Sequence, residues 1–159
     1  MRLKKALAII VGILALILVF LLLVAYAAFS PSRDEVLRVT SPSGEMEAVV
    51  FEVNGGATTS FAYEVDIEDS RLFGIARKVA YTYGAIRNNK GAYGVTPHWV
   101  SDEELHIEYY SSRHDELFSP YQRLFAPPVR VEMKLNINDL TAPAGGMQYN
   151  LKPNQYLNP

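Results

Sequence analysis

The chain has 159 residues, a formal net charge of −2 and no cysteine. Disulfides, a lipid-modified cysteine and thiolate chemistry are therefore excluded. The length leaves room for one ordinary domain, and the charge balance is not that of a nucleic-acid binder.

Residues 1–5 form a basic stub carrying Arg2, Lys4 and Lys5. From Ala6 to Phe29 no charged or strongly polar side chain occurs. At about 1.5 Å per helical residue this run reaches roughly 36 Å, enough to cross a hydrocarbon core of about 30 Å. It predicts a transmembrane helix over residues 6–29, with the lipid bilayer as its partner. The basic stub precedes the run, whereas Arg33 and Arg38 on its far side are interleaved with Asp34 and Glu35. The positive-inside rule then keeps the N-terminus in the cytoplasm and places the rest outside it, in the periplasm or at the cell surface. Ala25-Tyr26-Ala27 fits the small-x-small pattern of signal peptidase, but a signal-peptide core spans only about 7–15 residues, so an uncleaved single-pass anchor is expected. Ala8 and Gly12 form a small-xxx-small pair, a weak helix-pairing signal beside the simpler reading of a lipid-facing glycine.

Residues 30–140 read as one extracytoplasmic β-domain. From Pro31 onward 12 basic residues stand against all 17 acidic ones, a formal charge of −5. No basic run exceeds Arg77-Lys78, so neither nucleic acid nor an anionic lipid surface is expected as a partner. Leu37 and Val39 suggest a short first strand. Ala48-Val49-Val50-Phe51 is apolar on both faces and predicts a central strand over Glu45–Val53. Phe61, Tyr63, Val65 and Ile67 alternate with polar neighbours. So do Val79, Tyr81 and Tyr83; Leu105, Ile107 and Tyr109; and Val129, Val131, Met133, Leu135 and Ile137. Period two with one apolar face predicts half-buried antiparallel strands. Ser41-Pro42-Ser43-Gly44, Asn54-Gly55-Gly56, Asn88-Asn89-Lys90-Gly91 and Ser101-Asp102-Glu103-Glu104 supply turn chemistry between them. Asp115 to Phe125 is the best helical candidate after the anchor. Pro120 interrupts it at a cost of about 3 kcal/mol, so a loop with a helical turn or two is expected. The fold class is mainly β: a small antiparallel sandwich or twisted meander of about six strands. Residues 141–159 are a Pro/Gly/Asn-rich tail of a loosely ordered kind, in which Met147, Tyr149 and Leu151 alternate as a last edge strand would.

Three pieces occur in order: Ser41-Pro42-Ser43-Gly44 leading into Ala48–Phe51, Gly56-Ala57-Thr58-Thr59 leading into Phe61 and Val65, and Val95-x-x-x-Trp99 followed by Leu105-x-Ile107-x-Tyr109. Together they resemble an uncharacterised family of short bacterial proteins, a domain of unknown function with one N-terminal membrane helix. The resemblance covers residues 40 to 135. Ser43 stands where the family has aspartate, and Gly55 where a cysteine is expected. The resemblance implies a fold and a location and carries no chemistry.

His98, His106 and His114 are spaced eight residues apart. Imidazoles joined by Asp102, Glu108 or Asp115 have the right chemistry for zinc, but no H-x-x-x-H or H-E-x-x-H spacing occurs, so no metal and no cofactor is expected. No Gly-x-Ser-x-Gly elbow is present. Thr58 and Thr59 offer hydroxyls whose simpler role is to bond backbone in a turn. Asp102-Glu103-Glu104 and Asp115-Glu116 are adjacent acids in an exposed turn and an expected loop, not two carboxyls facing across a cleft. No catalytic residue is assigned. Tyrosines and Trp99 are concentrated in the second half of the chain. Tyr93, Trp99, Tyr110 and Tyr121, with Thr58 and Thr59, are the candidate binding residues, because aromatic rings bury much area at little entropic cost. The leading expectation is a noncatalytic binding or assembly module of the bacterial envelope, with another envelope protein or a cell-wall glycan as partner. The alternative is a small envelope hydrolase using a histidine and carboxylates.

Overall fold

The computed structural model of the protein describes residues 2–72, 75–118, 120–123 and 126–148. The chain forms two compact units, residues 1–31 and residues 32–159. The first is a single helix, α1 (Arg2–Phe29), which includes the basic residues of the stub. It is long and apolar enough to cross a membrane.

The second unit is mainly β. Among the described residues its strands are β1 (Ser32–Thr40), β2 (Met46–Asn54), β3 (Ala62–Asp69), β4 (Ile75–Tyr83), β5 (Thr96–Ser101), β6 (Glu104–Glu108), β7 (His114–Leu117) and β8 (Arg130–Lys134). A five-stranded antiparallel sheet runs in the order β1-β2-β3-β4-β7, and a three-stranded sheet in the order β5-β6-β8. The antiparallel β-domain anticipated from the alternation is present, with eight strands among the described residues instead of about six. Three details differ. β8 pairs parallel to β6, not antiparallel. β7 forms where a loop or helical turn was expected, pairing His114 to Leu117 with Tyr83 to Ala80. Every residue of β7 is exposed, so it carries no apolar period, and its pairing with the edge of β4 makes it a strand. β8 stops at Lys134, so Leu135 and Ile137 lie on the surface, not on the core face.

The turn Ser41-Pro42-Ser43-Gly44 joins β1 to β2 as its composition predicts. Gly44 N donates to Ser41 O at 2.9 Å, and Gly44 takes a φ of 77°, which glycine adopts without a Cβ penalty. Ser43 N donates to Asp102 Oδ1 at 3.0 Å, fixing this turn to the β5–β6 hairpin.

One core serves both sheets. β2 and β3 contribute Ala48, Val50, Val65 and Ile67, while β5, β6 and β8 contribute Trp99, Leu105, Ile107 and Val131. The Trp99 indole donates to Val39 O at 3.0 Å, linking β5 of the small sheet to β1 of the large one. Residues 141–148, assigned to the tail by composition, pack against the body. Met147 is buried, and its N–H donates to Glu52 Oε2 at 2.6 Å. Glu52 lies on the core face of β2 and also accepts the Tyr63 hydroxyl at 2.7 Å. Tyr149 and Leu151 of the suggested last strand lie outside the described residues.

The outer face of the large sheet is a charged lattice. Arg38 pairs with Glu35, Glu47 and Glu68, while Arg33 pairs with Glu64 and Asp66 and sits 3.5 Å over the Phe51 ring. Val49 is fully buried on this face, opposite Arg38 in register. Long arginine stems suit such a cover, since they pack along apolar surface while the guanidinium stays hydrated.

Candidate functional site

The small sheet separates its side chains cleanly by parity. Pro97, Trp99, Leu105, Ile107 and Val131 face the core, and Thr96, His98, Glu104, His106, Glu108, Arg130, Glu132 and Lys134 face outward. In the centre of this outer face, register sets His98, His106 and Glu132 side by side across the three strands.

The His98–His106 pairing depends on an irregularity. Ser101 pairs with Glu104, so a regular hairpin would place Trp99 opposite His106. A bulge between Trp99 and Ser101 shifts the pairing by one residue, so Trp99 faces Leu105 and His98 faces His106. Directly opposed residues have Cβ atoms about 4.5–5.5 Å apart.

His106 is the hub of the polar contacts. Its Nε2 lies 2.9 Å from Glu104 Oε1 and 3.9 Å from Glu132 Oε2. One ligand atom from each of the three residues lies within 4.8 Å of the other two. Arg130 donates to Glu104 Oε1 at 3.0 Å and lies 3.4 Å from Glu132 Oε1. Lys134 Nζ contacts Glu132 Oε2. The Glu104 carboxyl is held below its ordinary range, first by its hydrogen bond with His106 and then by Arg130. Glu132 is lowered chiefly by Lys134. Both carboxylates are thus ionised and fixed, as ligands of a cation must be.

At the Thr96–Glu108 end of this face lies a cleft of about 90 Å³, lined by Arg87, Thr96, Glu108, Tyr109, Ile137 and Asp139. Arg87 Nε is buried without a hydrogen-bond partner. The Tyr109 hydroxyl donates to Asp115 Oδ2 at 2.8 Å, and its pKa is pushed up to about 12 by burial and then by that carboxylate. Next to the lining residue Arg87, Asn88 is fully buried in the loop between β4 and β5. Its amide donates to Asp139 O at 2.9 Å and Ala142 O at 3.0 Å. Its carbonyl accepts from Lys90 N at 2.9 Å and Ala92 N at 3.1 Å.

The six candidate binding residues fall into two sets. Trp99 and Tyr121 are buried in the core. Thr58 and Thr59 are exposed, while Tyr93 and Tyr110 are half-buried. Tyr93, with Phe61, packs against the core edge, and Tyr110 adjoins it through the backbone of Ile86. Phe61, just after the threonines, meets Tyr93 edge-on with centroids 5.4 Å apart, and Ile86 bridges to Tyr93 while accepting a hydrogen bond from Tyr110 N. Thr59 Oγ1 donates to Gly56 O at 3.0 Å, the backbone role expected of it. His98 and His114 lie in strands, not loops, and His114 is on the other sheet from His106. Glu104 and Glu132, which complete the histidine cluster, escaped the sequence reading because their partnership arises only from strand order.

No protein-family model, no curated protein and no solved structure matches this chain.

Proposed function

We propose that the protein is a single-pass membrane protein of the bacterial envelope whose β-domain stands outside the cytoplasm as a noncatalytic binding or assembly module. The observation that carries this reading is the pairing of an apolar, membrane-length helix with a separately packed β-unit. Arg2, Lys4 and Lys5 before the apolar run support a cytoplasmic N-terminus. The bacterial assignment rests on the resemblance of the Ser-Pro-Ser-Gly and Gly-Ala-Thr-Thr segments to the uncharacterised envelope family.

A binding role is favoured over hydrolysis by where the polar groups sit. The histidine–carboxylate cluster is spread on an open sheet face. The cleft of about 90 Å³ is lined by acids and an arginine, and is small beside ligand pockets of about 300–1,000 Å³. The surface we assign to a partner protein or cell-wall glycan centres on the half-buried Tyr93 beside Phe61, with the exposed Thr58 and Thr59 just before Phe61 in the chain and Tyr110 adjoining through Ile86.

The test combines topology with contact mapping. A reporter active only outside the cytoplasm, fused after Pro159, is expected to be active, and activity of a cytoplasm-only reporter there would reverse the orientation. A photo-crosslinking residue at Tyr93 is expected to give a discrete adduct in cells, and one at Glu47 on the charged lattice is not. Equal labelling from both positions would remove this surface from the proposal.

A further inference from the structure

The outer face of the small sheet has the donor set and spacing of a transition-metal centre. Imidazole nitrogen and carboxylate oxygen bind Zn²⁺ at about 2.0–2.2 Å, which in a tetrahedron separates neighbouring donor atoms by about 3.3–3.5 Å. Around His106 Nε2 the separations are 2.9 Å to Glu104 Oε1 and 3.9 Å to Glu132 Oε2, which bracket that value. The third separation, between the two carboxylates, is within 4.8 Å, so a cation is enclosed by closing the side chains onto it. The bulge in β5 sets His98 directly opposite His106 on the same face, and its ring, outside the group of three, has to turn toward it to act as a fourth donor.

We propose that Glu104, His106 and Glu132, completed by His98, form a site for a divalent transition metal of the Zn²⁺ class. Two imidazoles select borderline metals over hard cations such as Ca²⁺ and Mg²⁺, which take oxygen ligands. The charged neighbours on this face are Arg130, Lys134 and Glu108. Arg130 contacts Glu132 Oε1, the oxygen turned away from His106, and Glu104 Oε1, the oxygen turned toward it, so it orients Glu132 but competes with a metal on Glu104. Lys134 does the same on Glu132, because its ammonium contacts Oε2, the oxygen turned toward His106. It competes with the metal for that oxygen. Its side chain is 37% exposed, so it can swing into solvent when the metal enters. This competition gives the site a sign that a plain ion-pair cluster lacks: removing Lys134 strengthens metal binding.

The experiment is calorimetric titration of the full chain, in detergent, with ZnCl₂ at pH 7.5, and in parallel with CaCl₂. One equivalent of Zn²⁺ is expected to bind saturably, and Ca²⁺ is expected to bind at least about 100-fold more weakly. His106→Ala and His98→Ala are expected to weaken Zn²⁺ by about 10-fold or more, with His114→Ala, on the other sheet, as an unchanged control. Lys134→Met is expected to tighten it by about threefold or more, the loss of a charged competitor. Thermal unfolding of each variant without metal separates lost binding from lost folding, and the Lys134→Met gain does not depend on that distinction. Absence of saturable Zn²⁺ binding, equal affinity for Ca²⁺, an effect of His114→Ala as large as that of His106→Ala, or weaker binding by Lys134→Met would each overturn the proposal.

Discussion

Asn88 offers the sharpest test of how the loop between β4 and β5 is tied to residues 139–142, through a substitution that changes almost no volume. The orientation of its amide follows from its partners. The carbonyls of Asp139 and Ala142 only accept, and the N–H groups of Lys90 and Ala92 only donate. Asn88→Asp keeps the two accepted bonds and turns the two donated ones into a carboxylate oxygen facing two carbonyl oxygens. Two lost hydrogen bonds cost about 1 kcal/mol each. An ionised carboxylate without a cation in a fully buried position adds several kcal/mol or takes up a proton. The expected loss at neutral pH is about 3–5 kcal/mol, a large share of the roughly 5–15 kcal/mol of an ordinary domain. The pH dependence carries the diagnostic sign. Burial raises the introduced carboxyl above about 3.9 in the folded state, so the native state binds more protons than the unfolded one. Stability of the variant then falls as pH rises through the folded pKa, and the deficit against wild type shrinks on acidification toward about pH 5. Urea unfolding of both proteins at pH 7.5 and pH 5 measures this. A loss under about 1 kcal/mol at pH 7.5, or a deficit that grows on acidification, would refute the hydrogen-bond reasoning.

Two further expectations follow from the turns and the surface charges. Gly56 has a φ of 104°, so Gly56→Val should cost about 1–3 kcal/mol in thermal unfolding, whereas exposed Thr58→Ala should stay within about 0.5 kcal/mol. Thr59→Ala loses one exposed bond to Gly56 O and falls between them. In acid, Glu35, Asp69, Asp102, Glu104, Glu132 and Asp139 are held below their ordinary range by hydrogen bonds, chiefly from Arg38, Arg71, Ser43, His106, Lys134 and Thr141 in that order. A depressed carboxyl stabilises the fold above its unfolded pKa, and that stability is lost as pH falls through the folded value. Asp66, raised by burial, acts in the opposite sense. The urea midpoint should therefore be flat from about pH 7 to 5 and drop below about pH 4.5, and a midpoint that rises there would contradict the assignment.

Much of the β-domain was legible because one physical pattern governs it. Wherever a strand has one face on the core, as in Phe61 to Ile67 or Leu105 to Tyr109, burial enforces alternation and alternation is visible in the sequence. β7 has both faces in water, so no burial imposed a period on His114 to Leu117. The parallel pairing of β8 with β6 is likewise invisible, since alternation fixes which face is buried and not the direction of the neighbour. Trp99 and Tyr121 show the converse. Their types announce large contact surfaces, but only packing decides whether that contact is with a partner or with the protein's own core.

The histidine cluster was illegible for a more specific reason. Metal-site motifs are recognisable when one helix or one turn sets the ligand spacing, as in H-E-x-x-H. Here the ligands come from three strands, so their spacing in the chain reflects loop lengths and carries no geometric information. A hairpin pairs residues whose numbers have a constant sum, and the Ser101–Glu104 turn alone would oppose His106 with Trp99. That register would put an indole and an imidazole on one face and break the parity of the sheet. The one-residue bulge between Trp99 and Ser101 restores it, sending Trp99 to the core and His98 to the outer face beside His106. The same bulge therefore serves the core and the polar face together. Val100 is the extra residue of that bulge: deleting it would join Trp99 to Ser101 and keep both pairings in a regular hairpin, whereas closing the bulge with Val100 retained would drive His98 toward the core side and dismantle both.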